Sequence, residues 1–265
     1  MEDANQKHTP AEASPLGTNS EGESMEREWI YPSIIGMLLY LSSNSRPDIQ
    51  FAVHQCARFS HNPKESHSNA VKRIIRYLIG TKDKGLTFTP DTEMKLNCYV
   101  DADFAGLWRY ENDQDPVCVR SRTGYVLTLG DCPVTWSSKL QTEIALSTLE
   151  AEYIAISTSM RELIPLRRLL LEIAQTLGLK ELKPALICSH VFEDNNGAIG
   201  LAESPKLTPR TKHIAIKYHW FKDHIGEDKG ILLQKIESEN QKADIFTKGL
   251  TLDTFRKIRK LLMGW

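Results

Sequence analysis

The sequence predicts an α/β protein, in which a small helical region precedes a mixed five-stranded sheet flanked by helices. Three observations support this fold class. Apolar and polar residues alternate over residues 96–100, which is the periodicity of a strand. Apolar residues recur at helical spacing over residues 148–177, a segment that Gly178 ends. Strand-like and helix-like segments then follow one another to residue 262, a pattern typical of a sheet with helices on its faces.

Residues 1–28 predict a disordered acidic lead or linker, because they contain seven acids, two bases and almost no large apolar side chains. Residues 29–90 contain three helical patterns, of which the second begins at Pro47 and the third covers residues 70–79. The third helix carries a basic stripe formed by Lys72, Arg73 and Arg76. The stripe suits contact with a nucleic-acid backbone, although its spacing alone favours a solvent-exposed helix face.

Residues 91–265 contain the predicted sheet, after a short extended piece at residues 85–90. The predicted strands are residues 94–103, 122–129, 133–140, 185–193 and 231–236, and the second and third form a hairpin. The predicted helices are residues 148–177, 196–202, 211–225 and 241–262.

Cysteine usage and hydropathy exclude several classes of protein. The five cysteines are widely spaced without a Cys-x-x-Cys pair, which argues against a zinc site or disulfide framework and for a reducing compartment. No apolar run reaches the ~18 residues that span a bilayer. The N-terminus is acidic and polar, so we expect no signal peptide. The net charge of −1 points to no class of partner.

Acidic residues fall where predicted strands end and helices begin, which is where ligands bind in open α/β sheets. Asp101 ends the first strand, Asp194 ends the fourth, and Asp244 lies in the first turns of the last helix. Asp103 has the strand parity of Asp101, but the Ala-Gly turn after it predicts a position at the rim. Glu193 is expected to point away from Asp194 and to be a surface acid.

The long helix offers two glutamates with different expected roles. Ser147 and Glu150 have the spacing of a capping box, in which the glutamate folds back onto the helix start. Glu152 lies about 200° further around the helix, so it is expected to face the sheet. Several converging carboxylates need cations between them. Oxygen ligands without Cys or His suit Mg²⁺ or Mn²⁺, and two such ions support phosphodiester hydrolysis.

Eight segments in order carry a resemblance to a known family. They are YPSIIGMLLYLSSNSRPDIQFAV, AVKRIIRYLIGTKDKGL, YVDADFAG, RTGYVLTLG, WSSKLQTEIALSTLEAEYIA, EDNNGAIGLAESP, RTKHIAIKYHWFK and NQKADIFTKGL. Taken together, residues 32–249 resemble the C-terminal part of the Pol polyprotein of copia-type LTR retrotransposons.

The resemblance implies a ribonuclease H-like domain at residues 91–265, preceded by a region at residues 29–90 like the thumb and connection of a reverse transcriptase. It implies two Mg²⁺ ions, with Mn²⁺ as a substitute, and RNA–DNA hybrids as the substrate. The polymerase part of the same element is the implied protein partner, and the cytoplasmic retroelement particle is the implied location. By motif, the resemblance assigns catalysis and metal binding to four acids: Asp101, Glu152, Asp194 and Asp244.

In addition to the acids, several basic residues are expected to contact phosphates of the nucleic acid. They are Lys139, Arg210 and Lys212, together with the stripe on the third helix. Many ribonucleases H carry a histidine in the loop before the last acid, whereas this loop reads ESENQ. His213, in the RTKHI segment, either approaches the site or bonds locally at a helix start.

Three functions are compatible with the pattern to different degrees. The leading interpretation is hydrolysis of the RNA strand of hybrids during reverse transcription, by a fragment that lacks the polymerase palm. The alternative is an inactive, truncated copy of the element that acts at most as a nucleic-acid-binding module. Pairing of an acid on the first strand with one on the first helix disfavours an integrase-type transferase. Residues 99–103 resemble a polymerase Tyr-x-Asp-Asp hairpin only superficially, because their acids alternate. We therefore expect no DNA synthesis by this chain alone.

Overall fold

The sheet has five strands and is mixed, as the sequence predicts. A computed structural model describes residues 5–19, 21–25, 29–89, 95–108, 118–179, 188–204, 213–214 and 216–265. The strands are β1 (Leu96–Asp103), β2 (Arg122–Leu129), β3 (Cys132–Leu140), β4 (Ser189–Glu193) and β5 (Ile231–Lys235). Their order in the sheet is β3-β2-β1-β4-β5. The central strand, β1, pairs antiparallel with β2 and parallel with β4.

Helices cover both faces of this sheet. In chain order they are α1 (Tyr31–Asn44), α2 (Gln50–Ala57), α3 (Glu65–Ile79), α4 (Thr148–Thr176), α5 (Asn196–Glu203), α6 (Asp244–Thr247) and α7 (Leu252–Met263). Within the described ranges, none of these helices combines the length and the apolar character that crossing a membrane requires.

Helix α4 packs on one face of the sheet because its apolar side meets the side chains of alternate β1 residues. Cys98 and Val100 of β1 are fully buried in one cluster with Ile156 and Met160 of α4. Burial of each large apolar side chain contributes roughly 1.5–3 kcal/mol. This packing fixes the start of α4 against the end of β1.

The opposite face of the sheet is covered by α1–α3 together with α6 and α7. Tyr99 of β1 belongs to the same buried cluster as Ile35 of α1 and Phe246 of α6. The indole Nε1 of Trp136 in β3 donates to the carbonyl of Ser42 at 2.8 Å. The helices of residues 29–90 therefore share a core with the sheet, and the boundary drawn at residue 90 stays a prediction.

Residues 5–19 lie along α3 and form neither helix nor strand. Arg73 Nε donates to the carbonyl of Thr9 at 3.1 Å, and Arg73 Nη1 lies 2.8 Å from Glu12 Oε1. His67 Nε2 lies 2.8 Å from the carbonyl oxygen of Gly17. Charge pairs and backbone acceptors therefore tie the described part of this stretch to α3, while the disorder expected for residues 1–28 stays a prediction.

Two predicted helices are corrected by the structure. The final helix, predicted over residues 241–262, is interrupted: Lys248 is extended (φ −140°, ψ 158°), and α7 begins only after Thr251. Where residues 211–225 are described, they form the 3₁₀ helices Ile216–Tyr218 and Trp220–His224 rather than an α-helix. The piece predicted as extended at residues 85–90 joins no strand in its described part.

Candidate metal centre

Three carboxylates meet at the carboxyl end of β1. Asp101, Glu152 and Asp194 each offer one oxygen, and these oxygens lie within 4.8 Å of one another. Asp101 lies on β1, Glu152 in the second turn of α4, and Asp194 directly after β4. Because β1 and β4 are adjacent and parallel, their carboxyl ends lie at the same edge of the sheet. The topology therefore brings together three of the four predicted acids.

The fourth predicted acid, Asp244, is linked to this group by residues of its own motif. Lys248 Nζ lies 2.9 Å from Asp244 Oδ1 and 3.8 Å from Asp101 Oδ2. Thr247 Oγ1 donates to Asp101 Oδ2, and it also lies 3.2 Å from the carbonyl oxygen of Asp244. Lys248 offsets the charge of the two aspartates, while Thr247 fixes the orientation of Asp101.

Gly124 lets α6 come this close to the sheet. In the β1–β2 register Gly124 is the partner of Asp101. A Cβ atom added at Gly124 would lie 2.6 Å from Thr247 Cγ2 and 2.8 Å from Phe246 Cβ, both of which are too close. The glycine is therefore needed for its lack of a side chain rather than for a special backbone conformation.

Gln241 anchors the loop before α6 to the two strands that carry acids. It is fully buried, and its Nε2 donates to the carbonyl of Val100 at 2.9 Å. The same nitrogen lies 3.4 Å from the carbonyl oxygen of Phe192 in β4. In the same loop, Ser238 Oγ donates to Asp194 Oδ2 at 2.6 Å. This loop therefore positions both Asp194 and α6.

The two glutamates of α4 have the geometry expected for their different roles. Glu150 N donates to Ser147 Oγ at 3.2 Å, and Glu150 Oε2 accepts from the backbone N–H of Leu146 at 2.8 Å. His213 Nε2 lies 3.1 Å from the same Oε2 atom of Glu150, so His213 bonds to the helix-capping acid. Glu152 instead points into the cluster, and its buried Oε2 atom has no hydrogen-bond partner among the residues that the structure describes.

Glu193 is not the surface acid that the sequence predicted. It is fully buried, because Ser189, Val191 and Glu193 alternate on the face of β4 that packs against α4. Its Oε1 accepts from the backbone N–H of Asn195 at 2.9 Å, and its buried Oε2 has no hydrogen-bond partner within the described ranges. The parity that it shares with the apolar Val191 was the signal in the sequence that could have placed it inside.

Burial and mutual repulsion shift the acids toward their protonated forms. Desolvation, followed by repulsion from Glu193 and Asp101, raises the pKa of Glu152 far above its ordinary value. Desolvation also raises the pKa of Asp101, although Lys248 and the Thr247 hydroxyl act in the opposite direction. Desolvation and the charge of Asp101 raise the pKa of Asp244 to about 7. The cluster therefore carries more carboxylate than the protein alone can neutralise.

The residues fit a hard divalent cation. Every donor in the three-acid group is a carboxylate oxygen, which suits Mg²⁺ or Mn²⁺ rather than a softer metal. The orphaned Oε2 of Glu152 is a buried acceptor whose burial is costly unless it binds a proton or a cation. Asp101, Glu152 and Asp194 would hold such an ion, with Asp244 beside them.

The predicted phosphate-contacting residues have varied surroundings. Lys139 is exposed on β3. Lys72 pairs with Glu65 at 3.3 Å, and Arg73 is occupied by Glu12 and Thr9. Arg76 is half-buried, and its Nε atom has no hydrogen-bond partner among the described residues. The remaining two, Arg210 and Lys212, lie outside the described residues.

Comparison with known proteins relates the chain to transposon polyproteins. It is 35% identical over 248 residues to the "Retrovirus-related Pol polyprotein from transposon RE1" of Arabidopsis thaliana, which is 94% of this chain and 16% of that protein. It is 37% identical over 232 residues to the "Retrovirus-related Pol polyprotein from transposon TNT 1-94" of Nicotiana tabacum, covering 88% of this chain and 16% of the relative.

A shorter relative matches half of the chain. The "Secreted RxLR effector protein 161" of Plasmopara viticola is 39% identical over 132 residues, which is 50% of this chain and 87% of that protein. No protein-family model matches the chain. The chain spans 16% of the length of the two polyproteins above. Its similarity to them runs through nearly all of its own length, and the chain belongs to the copia-type, retrovirus-related Pol polyproteins of transposons.

Proposed function

We propose that this chain is the ribonuclease H part of its Pol polyprotein and cuts the RNA strand of RNA–DNA hybrids during reverse transcription. The observation that carries the proposal is the convergence of Asp101, Glu152 and Asp194 within 4.8 Å. These three acids come from the first strand, the first helix after the hairpin and the fourth strand, and Asp244 of α6 adjoins them. That origin of the acids is the one that the family resemblance implies for this nuclease.

The proposed cofactor is a pair of Mg²⁺ ions, or Mn²⁺ in their place, held by Asp101, Glu152, Asp194 and Asp244. Bound there, the ions supply an activated water and charge stabilisation at the leaving oxygen of a phosphodiester. The protein contributes orientation, because Thr247 and Ser238 hold one oxygen each of Asp101 and Asp194. It also contributes charge balance through Lys248.

The proposed substrate and partners follow from the same family. An RNA–DNA hybrid is the substrate, with Lys139, Arg210, Lys212 and His213 as proposed backbone contacts alongside the basic residues of α3. The polymerase part of the same element is the proposed protein partner, and the cytoplasm the proposed location. We propose no DNA synthesis by this chain alone, because the acids in residues 99–103 alternate along β1.

A substrate panel tests the proposal. The full chain is incubated with an end-labelled RNA–DNA hybrid, and with duplex RNA and duplex DNA of the same sequence, in Mg²⁺ or in EDTA. We expect internal cuts in the RNA strand of the hybrid only, dependent on Mg²⁺ and lost in Asp194→Asn. Tight hybrid binding without any cut by the wild-type chain would favour the alternative, a nucleic-acid-binding module. DNA strand transfer would instead support the integrase-type chemistry.

A further inference from the structure

A cavity lies beside the acid cluster, at the junction of the sheet, α2 and the N-terminal segment. Its volume is about 220 Å³, below the ~300–1,000 Å³ of ordinary small-molecule sites. Its described walls include three basic side chains, from Arg120, Arg122 and Lys248, against one acid, Asp103. We call this cavity the Arg122 pocket. It is small and has an excess of positive charge.

Arg122 is held rigidly in the wall of the Arg122 pocket. Only 4% of the residue is exposed. Its Nη1 donates to Ser138 Oγ at 3.1 Å, and its guanidinium lies 5.3 Å from the centre of the Phe51 ring. Among the described residues, no carboxylate lies within ion-pairing distance of it. Desolvation, followed by repulsion from Arg58, lowers the pKa of Arg122 to about 10, although attraction to Asp103 acts in the opposite direction.

A buried guanidinium without a paired carboxylate is costly, and a bound anion offsets that cost. Arg120 adds a half-buried guanidinium, whose Nε atom is buried and has no hydrogen-bond partner in the described part of the chain. The planar donors of two arginines match the oxygens of a phosphate group better than the point charge of a lysine does. Asp103, opposite Arg122 in the β1–β2 register, limits the excess charge without removing it.

We propose that the Arg122 pocket binds one phosphate group through Arg120 and Arg122, and that this group belongs to the backbone of a nucleic-acid strand at the acid cluster. Lys248 lines the pocket and also pairs with Asp244, so the pocket and the acid cluster share a wall. Phe51 of α2 and Pro15 of the N-terminal segment complete the pocket. The pocket is therefore lined both by residues that precede the sheet in the chain and by residues of the sheet region. The assignment to a nucleic-acid strand rests on the proposed nuclease function, whereas binding of a phosphate group does not.

The first arm of the test uses inorganic phosphate alone. Its binding to the full chain is measured by calorimetry in EDTA, for wild type, Arg120→Gln and Arg120→Lys. Arg120 is chosen because it is less buried than Arg122, and thermal unfolding verifies that each variant folds. Lys257→Gln is the control, because Lys257, which lies on α7, forms an exposed ion pair with Glu239 at 3.5 Å. We expect roughly tenfold weaker phosphate binding in Arg120→Gln, a smaller loss in Arg120→Lys and no change in the control.

The second arm identifies the source of the phosphate. Hybrid binding is measured at several salt concentrations in an Asp194→Asn background, with and without Arg120→Gln. Loss of one backbone contact should reduce the slope of log K against log salt by about 0.9.

Weaker phosphate binding with an unchanged slope would show a pocket for free phosphate and overturn the backbone assignment. Phosphate binding that is equally strong, or absent, in wild type and Arg120→Gln would overturn the pocket itself. A chain that binds phosphate but cuts no hybrid would contradict only the proposed nuclease.

Discussion

Gly124 lies directly opposite Asp101 in the β1–β2 ladder, and α6 occupies the space that a side chain at Gly124 would fill. Gly124 has no side chain that could react, yet its small size determines what packs beside Asp101. Thr247 reaches Asp101 only because α6 packs against the bare backbone at this point. The spacing between β2 and α6 therefore decides whether Asp244 and Lys248 adjoin the other acids.

Gly124→Ala should displace α6 and weaken both the fold and the site. Overpacking of this kind costs typically ~1–3 kcal/mol, and the loss of the contact between Thr247 and Asp101 should reduce hybrid cleavage further. Urea unfolding and cleavage rates measure the two effects. Gly36→Ala in α1 is the matched control, because a Cβ there meets no atom of the described residues within 4 Å. The control should be unchanged or stabilised by up to about 1 kcal/mol. Equal behaviour of the two variants would contradict the close packing.

Divalent cations should stabilise the chain more strongly at high pH than at low pH. The pKa of Asp244 is raised to about 7, so the folded chain binds more protons than the unfolded chain between about pH 4 and pH 7. The contribution of Asp244 to stability therefore falls as pH rises through that window. A bound cation removes the repulsion. We expect Mn²⁺ to raise the melting temperature more at about pH 8 than at about pH 5. An equal rise at both pH values would count against a carboxylate site.

Lys248→Met should make the chain depend more on a bound cation. Without its ammonium group, Asp101 and Asp244 lose the charge that offsets them. We expect a lower melting temperature in EDTA than for wild type, and a larger rise when Mn²⁺ is added. Lys257→Met removes an equally exposed lysine from the surface, with 46% of the side chain exposed against 44% for Lys248, and should change neither value. An Mn²⁺ response of wild-type size in Lys248→Met would show that Lys248 does not balance the cluster.

The helical region should depend on one buried ion pair. Asp48 accepts from Arg46 through both carboxylate oxygens, at 2.9 and 2.8 Å, and from Tyr77 Oη at 2.5 Å. Asp48→Ala leaves the guanidinium of Arg46 buried without a carboxylate, which costs roughly 3–5 kcal/mol. Denaturant unfolding measures the loss. Asp83→Ala, at an aspartate whose side chain is 71% exposed, should stay within about 0.5 kcal/mol of wild type. Similar losses in both variants would mean that the buried pair is not what stabilises the helices.

The same unfolding data show whether the chain behaves as one unit. Because Tyr99, Ile35 and Phe246 belong to one buried cluster, wild type should unfold in a single transition when followed by fluorescence and by circular dichroism. Two separated transitions would instead support independent domains at residues 29–90 and 91–265.

The sequence was sufficient to predict the sheet and the strands and helices on which the acids lie. Strand periodicity placed Asp101, and the capping box separated Glu150 from Glu152, because both signals are local. The structural role of Gly124 depended on which element packs opposite it, which no local pattern reveals. The sequence pattern predicts a continuous last helix and so assigns no role to Lys248, whereas the backbone at Lys248 is extended in the structure. The sequence-based prediction for Glu193 is wrong because it assumes that Asp194 continues the alternation of the strand, whereas Asp194 lies beyond the end of β4.

Glu152, the inward acid of α4, should belong to a metal-dependent nuclease site, whereas Glu150, two residues earlier, should not. The most direct measurement is the rate of Mg²⁺-dependent hybrid cleavage by wild type, Glu152→Gln and Glu150→Gln. Glu152→Gln should fold and lose ~100-fold or more in rate, because it removes a proposed metal ligand, and even the loss of an outer-shell partner costs ~10–100-fold. Glu150→Gln should cut at close to the wild-type rate while losing about 1 kcal/mol of stability through its weakened cap. Undiminished cleavage by Glu152→Gln, or equal losses in both variants, would contradict this site.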